Sequence, residues 1–173
     1  GVHFMGDLFH EDVPDKFLID IFNAMRMAPK HQYFCLTKRP PRMLDFCRRL
    51  RFDGTGEGRV YLGDTSDSNG YCLMGGHGCT GMDWVWLGVS IEDQKTADER
   101  IPVLLEIPAV HRWVSVEPML AEINLRRYFA HSIHCIKCHP GGSECKCSRL
   151  DWVVCGGETG PGAQAAGTAL ASL

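Results

Sequence analysis

Apolar residues along this chain come in five short runs, each closed by a polar or glycine-rich turn. They are "VHFMGDLF" (2–9), "QYFCLTKRP" (32–40), "WVWLGVSIED" (84–93), "HRWVSVEPM" (111–119) and "DWVVCGGETGPG" (151–162). Within each run Val, Trp, Phe, Tyr or Leu follow one another with little alternation, the pattern of strands buried on both faces. Between the runs the apolar period lengthens to that of a helix. In "VPDKFLIDIFNAMRMAP", Phe17, Leu18, Ile21, Phe22 and Met25 share one face, with Pro14 near the start and Pro29 past the end. "PPRMLDFCRRL" puts Met43, Leu44, Cys47 and Leu50 on one face behind two opening prolines. "TADERIPVLLEIP" reads as a helix interrupted at Pro102, and "LAEINLRRYFA" as a weaker helix.

Strand alternating with helix predicts the α/β class, with a parallel sheet built from β/α repeats. Strands begin near residues 2, 32, 84, 111 and 151, and the two long intervals each hold an odd segment. One is glycine-rich and without periodicity (54–83); the other is cysteine-rich (131–148). With both set aside, every repeat returns to about 25 residues, the size of a compact β/α unit. The expectation is therefore one β/α domain over 1–173 with two insertions. Because "GVHFMGD" already reads as a strand, the chain is expected to begin mid-fold. Each insertion follows a helix and precedes a strand, which puts it at the N-terminal edge of the sheet. Ligand sites of parallel sheets lie at the opposite edge.

That opposite edge gathers the candidate chemistry. The first run ends with Asp7, followed by His10, Glu11 and Asp12. The second ends in Thr37, Lys38 and Arg39; the third offers Ser90, Glu92, Asp93 and Gln94. Ser115 and Glu117 close the fourth, and Gly156, Gly157, Glu158 and Thr159 the fifth. Carboxylates converging with a Lys–Arg pair can hold a cofactor or metal, bind an anionic group, and shift one another's pKa toward acid–base work. Glu92, Glu117, Lys38 and Arg39 are the catalytic candidates. Asp7, Thr37, Ser90, Ser115, Gly156, Gly157 and Glu158 are the cofactor-side candidates. Polar residues also follow buried strands simply as helix caps or surface ion pairs. Glu92 and Glu117 stand out because both end the same apolar-Ser-apolar-Glu pattern, "VSIE" and "VSVE". "CGGETGPG" has two readings, an anion-binding turn or a tight turn with close backbone packing, and fits neither established phosphate-loop spacing.

Composition narrows the classes. Of 173 residues, 45% are hydrophobic and 23% charged, ordinary for a globular protein, and the net charge of −3 gives no global attraction to nucleic acid or anionic membrane. No apolar run approaches the roughly 20 residues of a membrane span. The nine cysteines are odd in number and irregular in spacing. Several lie inside apolar runs, which suits reduced thiols in a cytoplasmic setting better than a disulfide scaffold. Four of them form a C-x2-C-x6-C-x-C group, Cys135, Cys138, Cys145 and Cys147, with His131, His134 and His139 close by. Thiolates in such pairs select structural zinc; unligated thiols and redox or iron–sulfur chemistry are the other readings. Cys72, His77 and Cys79 in the glycine-rich insertion make a weaker second group, read as a flexible loop.

Five collinear motifs, "DLFHEDVPD", "LTKRPPRM", "VWLGVSIEDQKTADERIPVLLEIPA", "RWVSVEPML" and "LDWVVCGGETGPGA", resemble the phage Gp37/Gp68-type proteins, a domain family of unknown function. The resemblance runs from about residue 2 to 163 outside the insertions. It implies distant kinship with radical S-adenosylmethionine enzymes, hence a partial TIM-type barrel. It further implies a [4Fe–4S] cluster and S-adenosylmethionine in the full-length protein, the cluster ligands lying before Gly1. The three-cysteine motif of such enzymes is absent from this chain, and the 135–147 group does not match it in spacing or position. The chain alone is thus expected to be inactive, and its substrate would be a small molecule or nucleic-acid-derived. From a different class comes a zinc-stapled binding module for nucleic acid or a protein partner, using "RRLR" (48–51) and "CKCSR". A phage-encoded structural or partner-binding protein is the third reading. None of the three involves a membrane.

Overall fold

The structure is a computed structural model that describes residues 6–53, 59–64, 71–72, 82–129 and 149–156. In chain order its elements are α1 (Asp15–Met27), β1 (Tyr33–Thr37), α2 (Pro40–Arg49), β2 (Leu50–Phe52), β3 (Val60–Leu62), β4 (Tyr71–Cys72), β5 (Val85–Ile91), α3 (Gln94–Glu106), β6 (His111–Val116), α4 (Arg126–Phe129) and β7 (Trp152–Cys155). Four strands form a parallel sheet in the order β1-β5-β6-β7. Each new strand joins on the same side as the last, so the order never reverses. With right-handed crossovers, such winding sends every connecting helix to one face of the sheet.

The burial pattern agrees. Along β5, Val85, Leu87, Val89 and Ile91 point one way and are fully buried, as are Val114 and Val116 on β6. They share a core with Met43, Phe46 and Cys47 of α2 and with Ala97, Ile101 and Leu104 of α3. Leu18 and Phe22 of α1 join the same core, where Phe22 and Phe9 meet Phe46 with ring centroids 5.2 and 6.0 Å apart. The intervening strand residues Phe34, Trp86, Trp113 and Trp152 point the other way. They contact one another at 5.5–6.2 Å between centroids, and Trp86 stacks on His111 at 4.3 Å. Gly88, paired with Trp113 in the ladder, makes this packing possible: a Cβ there would lie 2.5 Å from the indole nitrogen.

Several expectations change. The parallel β/α sheet is present, but among the described residues it is open and no closed barrel forms. The strand expected over 2–9 is not seen at 6–9, where the Asp7 carboxylate accepts from Phe9 N at 2.9 Å and folds the chain into a turn; residues 2–5 lie outside the described set. The helix expected to break at Pro102 runs through it. An interior proline costs roughly 3 kcal/mol through its lost backbone bond and ring clash, against which stand the burial of Ile101 and Leu104 and a capping box. In that box Thr96 N donates to Asp93 Oδ1 at 2.7 Å and Asp93 N to Thr96 Oγ1 at 3.1 Å. The glycine-rich insertion is not all loop: β3 and β4 flank β2 in a small antiparallel sheet ordered β3-β2-β4. The weak helix near 120–130 is the single turn α4.

Candidate functional site at the C-terminal edge of the sheet

Strand ends and the turns after them bring three carboxylates to one edge, and their surroundings differ. Asp7 is a clasp. Its Oδ1 accepts from Thr37 Oγ1 at 2.6 Å and Phe9 N at 2.9 Å; its Oδ2 accepts from Arg39 Nη1 at 2.8 Å and Lys38 N at 3.2 Å. Burial pushes the carboxyl pKa up, but the bonds from Thr37, Arg39 and the Lys38 and Phe9 backbones together hold it below the ordinary value. Every acceptor direction is used, so Asp7 ties the segment before α1 to the end of β1. Thr37, nearly fully buried, also accepts from Arg39 N at 2.9 Å.

Glu92, just past β5, is the second carboxylate. Lys38 Nζ donates to its Oε1 at 2.5 Å and Arg100 Nη1 to its Oε2 at 3.2 Å. Arg100 is in turn held by the carbonyl of Ser90 at 2.5 Å. Both Glu92 oxygens are thus engaged by cations, and its side chain is only 16% exposed.

Glu117, just past β6, differs. Its Oε2 accepts from Ser115 Oγ at 3.1 Å, and among the described residues no cation pairs with it. The residue is exposed to solvent. Its carboxylate lies against Gly156 at the end of β7, where a Cβ would come within 2.5 Å of Oε1. The loop after β6 is stitched across the edge by Leu120 N to Glu92 O and Met119 N to Gly156 O, both 3.0 Å. Cys155 is exposed beside this group; burial and the charge of Glu117 push its thiol pKa up, away from nucleophilic use.

Of the sequence-derived candidates, the structure joins Asp7, Thr37 and Arg39 in one cluster and Lys38 and Glu92 in a second. Ser115, Glu117 and Gly156 form a third, and Ser90 contributes its backbone to Arg100. Gly157, Glu158 and the group Cys135, Cys138, Cys145 and Cys147 lie outside the described residues, as do His77 and Cys79. Sequence reasoning missed Arg100, whose reach back to Glu92 depends on its place on α3. It also missed the aromatic face. The available signal was an aromatic residue in the N-terminal half of each of the four sheet strands, where the ladder pairs Phe34 with Trp86 and Trp113 with Trp152.

A family model described as protein of unknown function (DUF5131) matches residues 1–171. The chain belongs to this family. No curated protein and no solved structure matches it. The arrangement above is therefore what this DUF5131 chain itself offers: a parallel sheet whose C-terminal edge holds two carboxylates paired with cations and one that, among the described residues, is not. Among its described residues no group of three or more His, Cys, Asp or Glu is arranged to hold a metal ion, and no helix is long and apolar enough to cross a membrane.

Proposed function

We propose that this chain forms part of a β/α-barrel enzyme of the phage Gp37/Gp68, radical S-adenosylmethionine-like type, acting on a small-molecule or nucleic-acid-derived substrate at the C-terminal edge of its sheet. The observation that carries the reading is the winding of the sheet. Four parallel strands join in sequence without reversal, with α2 and α3 packed on one face and ring-and-hydroxyl side chains on the other. A doubly wound sheet would show a switch point and helices on both faces; an arc of a barrel would not. Glu92 with Lys38 and Arg100 sits where barrel active sites sit, and Glu117 on the neighbouring strand has no cation partner among the described residues.

The described residues do not fit an iron–sulfur cluster. Cys35 and Cys47 belong to the helix-covered core, with the Cys35 thiol pushed up by burial to about 12, and Cys155 stands alone on another strand. The cluster belongs to the reading only through the resemblance, which assigns its ligands upstream of Gly1, and no step is routed through it. The test is anaerobic reconstitution, with iron and sulfide, of the chain extended upstream along its reading frame, followed by assay for reductive S-adenosylmethionine cleavage. Formation of 5′-deoxyadenosine is expected; a reconstituted cluster that leaves S-adenosylmethionine intact would contradict the reading.

A further inference from the structure

On the face of the sheet away from the helices, rings lie toward the strand starts, Leu36, Val154 and the Ser90 and Ser115 hydroxyls further along, and Glu117 at the rim. Trp113, Ser115 and Glu117 are alternate residues of one strand and its end, so they share that face. In the ladder Trp152 pairs with Trp113, Val154 with Ser115, and Ser90 with Ser115 from the other side. Trp152 is 44% exposed, and none of the four rings belongs to the buried core on the opposite face. Four residues of strand separate Trp113 from Glu117, a rise of about 13 Å.

At the polar end the charges are uneven. Lys38 and Arg100 are held by Glu92, and Arg39 by Asp7, while Glu117 has no cation among the described residues. Its position is nevertheless fixed, by the Ser115 hydroxyl on one side and by the space that Gly156 leaves on the other. A carboxylate so held, its Oε1 without a hydrogen-bond donor among the described residues, suits a positively charged hydrogen-bond donor. Below it Trp152 is exposed and Phe34 half-buried beside it, an edge that suits a flat apolar body, since aromatic rings stack in offset or edge-on contacts.

We propose that this face binds an elongated organic cation, its ammonium or amidinium head at Glu117 and its aromatic body against Trp152 and Phe34. Gly156 and Ser115 are the positioning residues of that carboxylate. The inference rests on reading the C-terminal edge as a ligand site, but needs neither an iron–sulfur cluster nor turnover.

Isothermal titration of the full chain with 4-phenylbutylammonium, and with uncharged 4-phenylbutanol as control, tests it without iron or S-adenosylmethionine. Saturable binding of the cation, with the alcohol at least about tenfold weaker, is expected, because a hydrogen bond to a charged group is worth about 1.5–3 kcal/mol. Glu117→Gln, at an exposed site where the fold does not depend on the charge, should lose affinity by the same factor. Gly156→Ala should also weaken the cation by displacing the carboxylate, while leaving the alcohol as before. Equal binding of cation and alcohol, unchanged affinity in Glu117→Gln, or no saturable binding would each overturn the proposal. So would concentration-dependent dimerisation that Trp152→Ala abolishes, since a second copy would then be the occupant. Failure here leaves the radical-enzyme reading standing, and loss of S-adenosylmethionine cleavage leaves this site standing.

Discussion

The same four strands make both faces of the sheet, and the two faces are built to different ends. One carries Val85, Leu87, Val89, Ile91, Val114 and Val116, all without solvent contact beneath α2 and α3. The other carries Phe34, Trp86, Trp113 and Trp152 toward the start of the strands, then Ser90 and Ser115, then Glu117 at the rim. The first face is branched aliphatic packing, where each fully buried side chain contributes roughly 1.5–3 kcal/mol. The second packs ring against ring, keeps Trp152 half in water, and ends in a carboxylate without a cation partner among the described residues. Packing is thus divided between the faces of one sheet, aliphatic beneath the helices on one and ring against ring on the other, with Gly88 and Gly156 giving the close approaches the second face needs.

The largest effect should come from opening the helix-covered face. Leu87→Ala removes a fully buried side chain between β5 and its covering helices, and should cost about 2–5 kcal/mol in urea unfolding. Trp152→Ala, larger in volume lost but on the open face, should cost less than Leu87→Ala. If the tryptophan proves the costlier of the two, the faces are not divided as described.

A smaller effect is expected at the clasp that ties the segment before α1 to the sheet. Asp7→Asn keeps the shape but loses the charge-assisted bonds to Thr37, Arg39 and the Lys38 amide, and should cost about 1–2 kcal/mol at neutral pH. The sign with pH follows from the lowered pKa of Asp7. Its stabilisation is fully present above the ordinary carboxyl value of 3.8 and is lost as pH falls through the lower folded value. The gap between wild type and Asp7→Asn should therefore close only in acid, below that ordinary value. A gap that stayed constant down to the acid transition would show that Asp7 acts through shape alone.

Much of the sheet is legible in the sequence because its strands are short apolar runs closed by polar turns, and because the intervening helices keep a clear apolar face. The strand at Val85–Ile91 and the helix at Asp15–Met27 are read directly. What escapes is instructive. A run such as "WVWLGVSI" is apolar at nearly every position, so its pattern does not tell which face the helices cover. Strands as short as Val60–Leu62 and Tyr71–Cys72 carry too few residues to show a period among glycines. Pro102 reads as a break because sequence cannot weigh one lost bond against the burial of Ile101 and Leu104. At the site, the shared "VSIE" and "VSVE" endings pick out Glu92 and Glu117. Their different fates depend on neighbours remote in sequence: Lys38 beside β5, and Gly156 beside β6.

The division of the sheet into a closed and an open face is tested most directly by collisional quenching of tryptophan fluorescence with acrylamide, in the wild-type chain and in Trp152→Phe. Trp113 is 4% exposed and Trp152 44%. Trp84 and Trp86 are half-buried, so Trp152 is the most exposed of the four tryptophans, and the quenching slope should fall in the variant while the far-ultraviolet circular dichroism is unchanged. An unaltered slope would mean that the aromatic face is covered in solution, and would contradict the account.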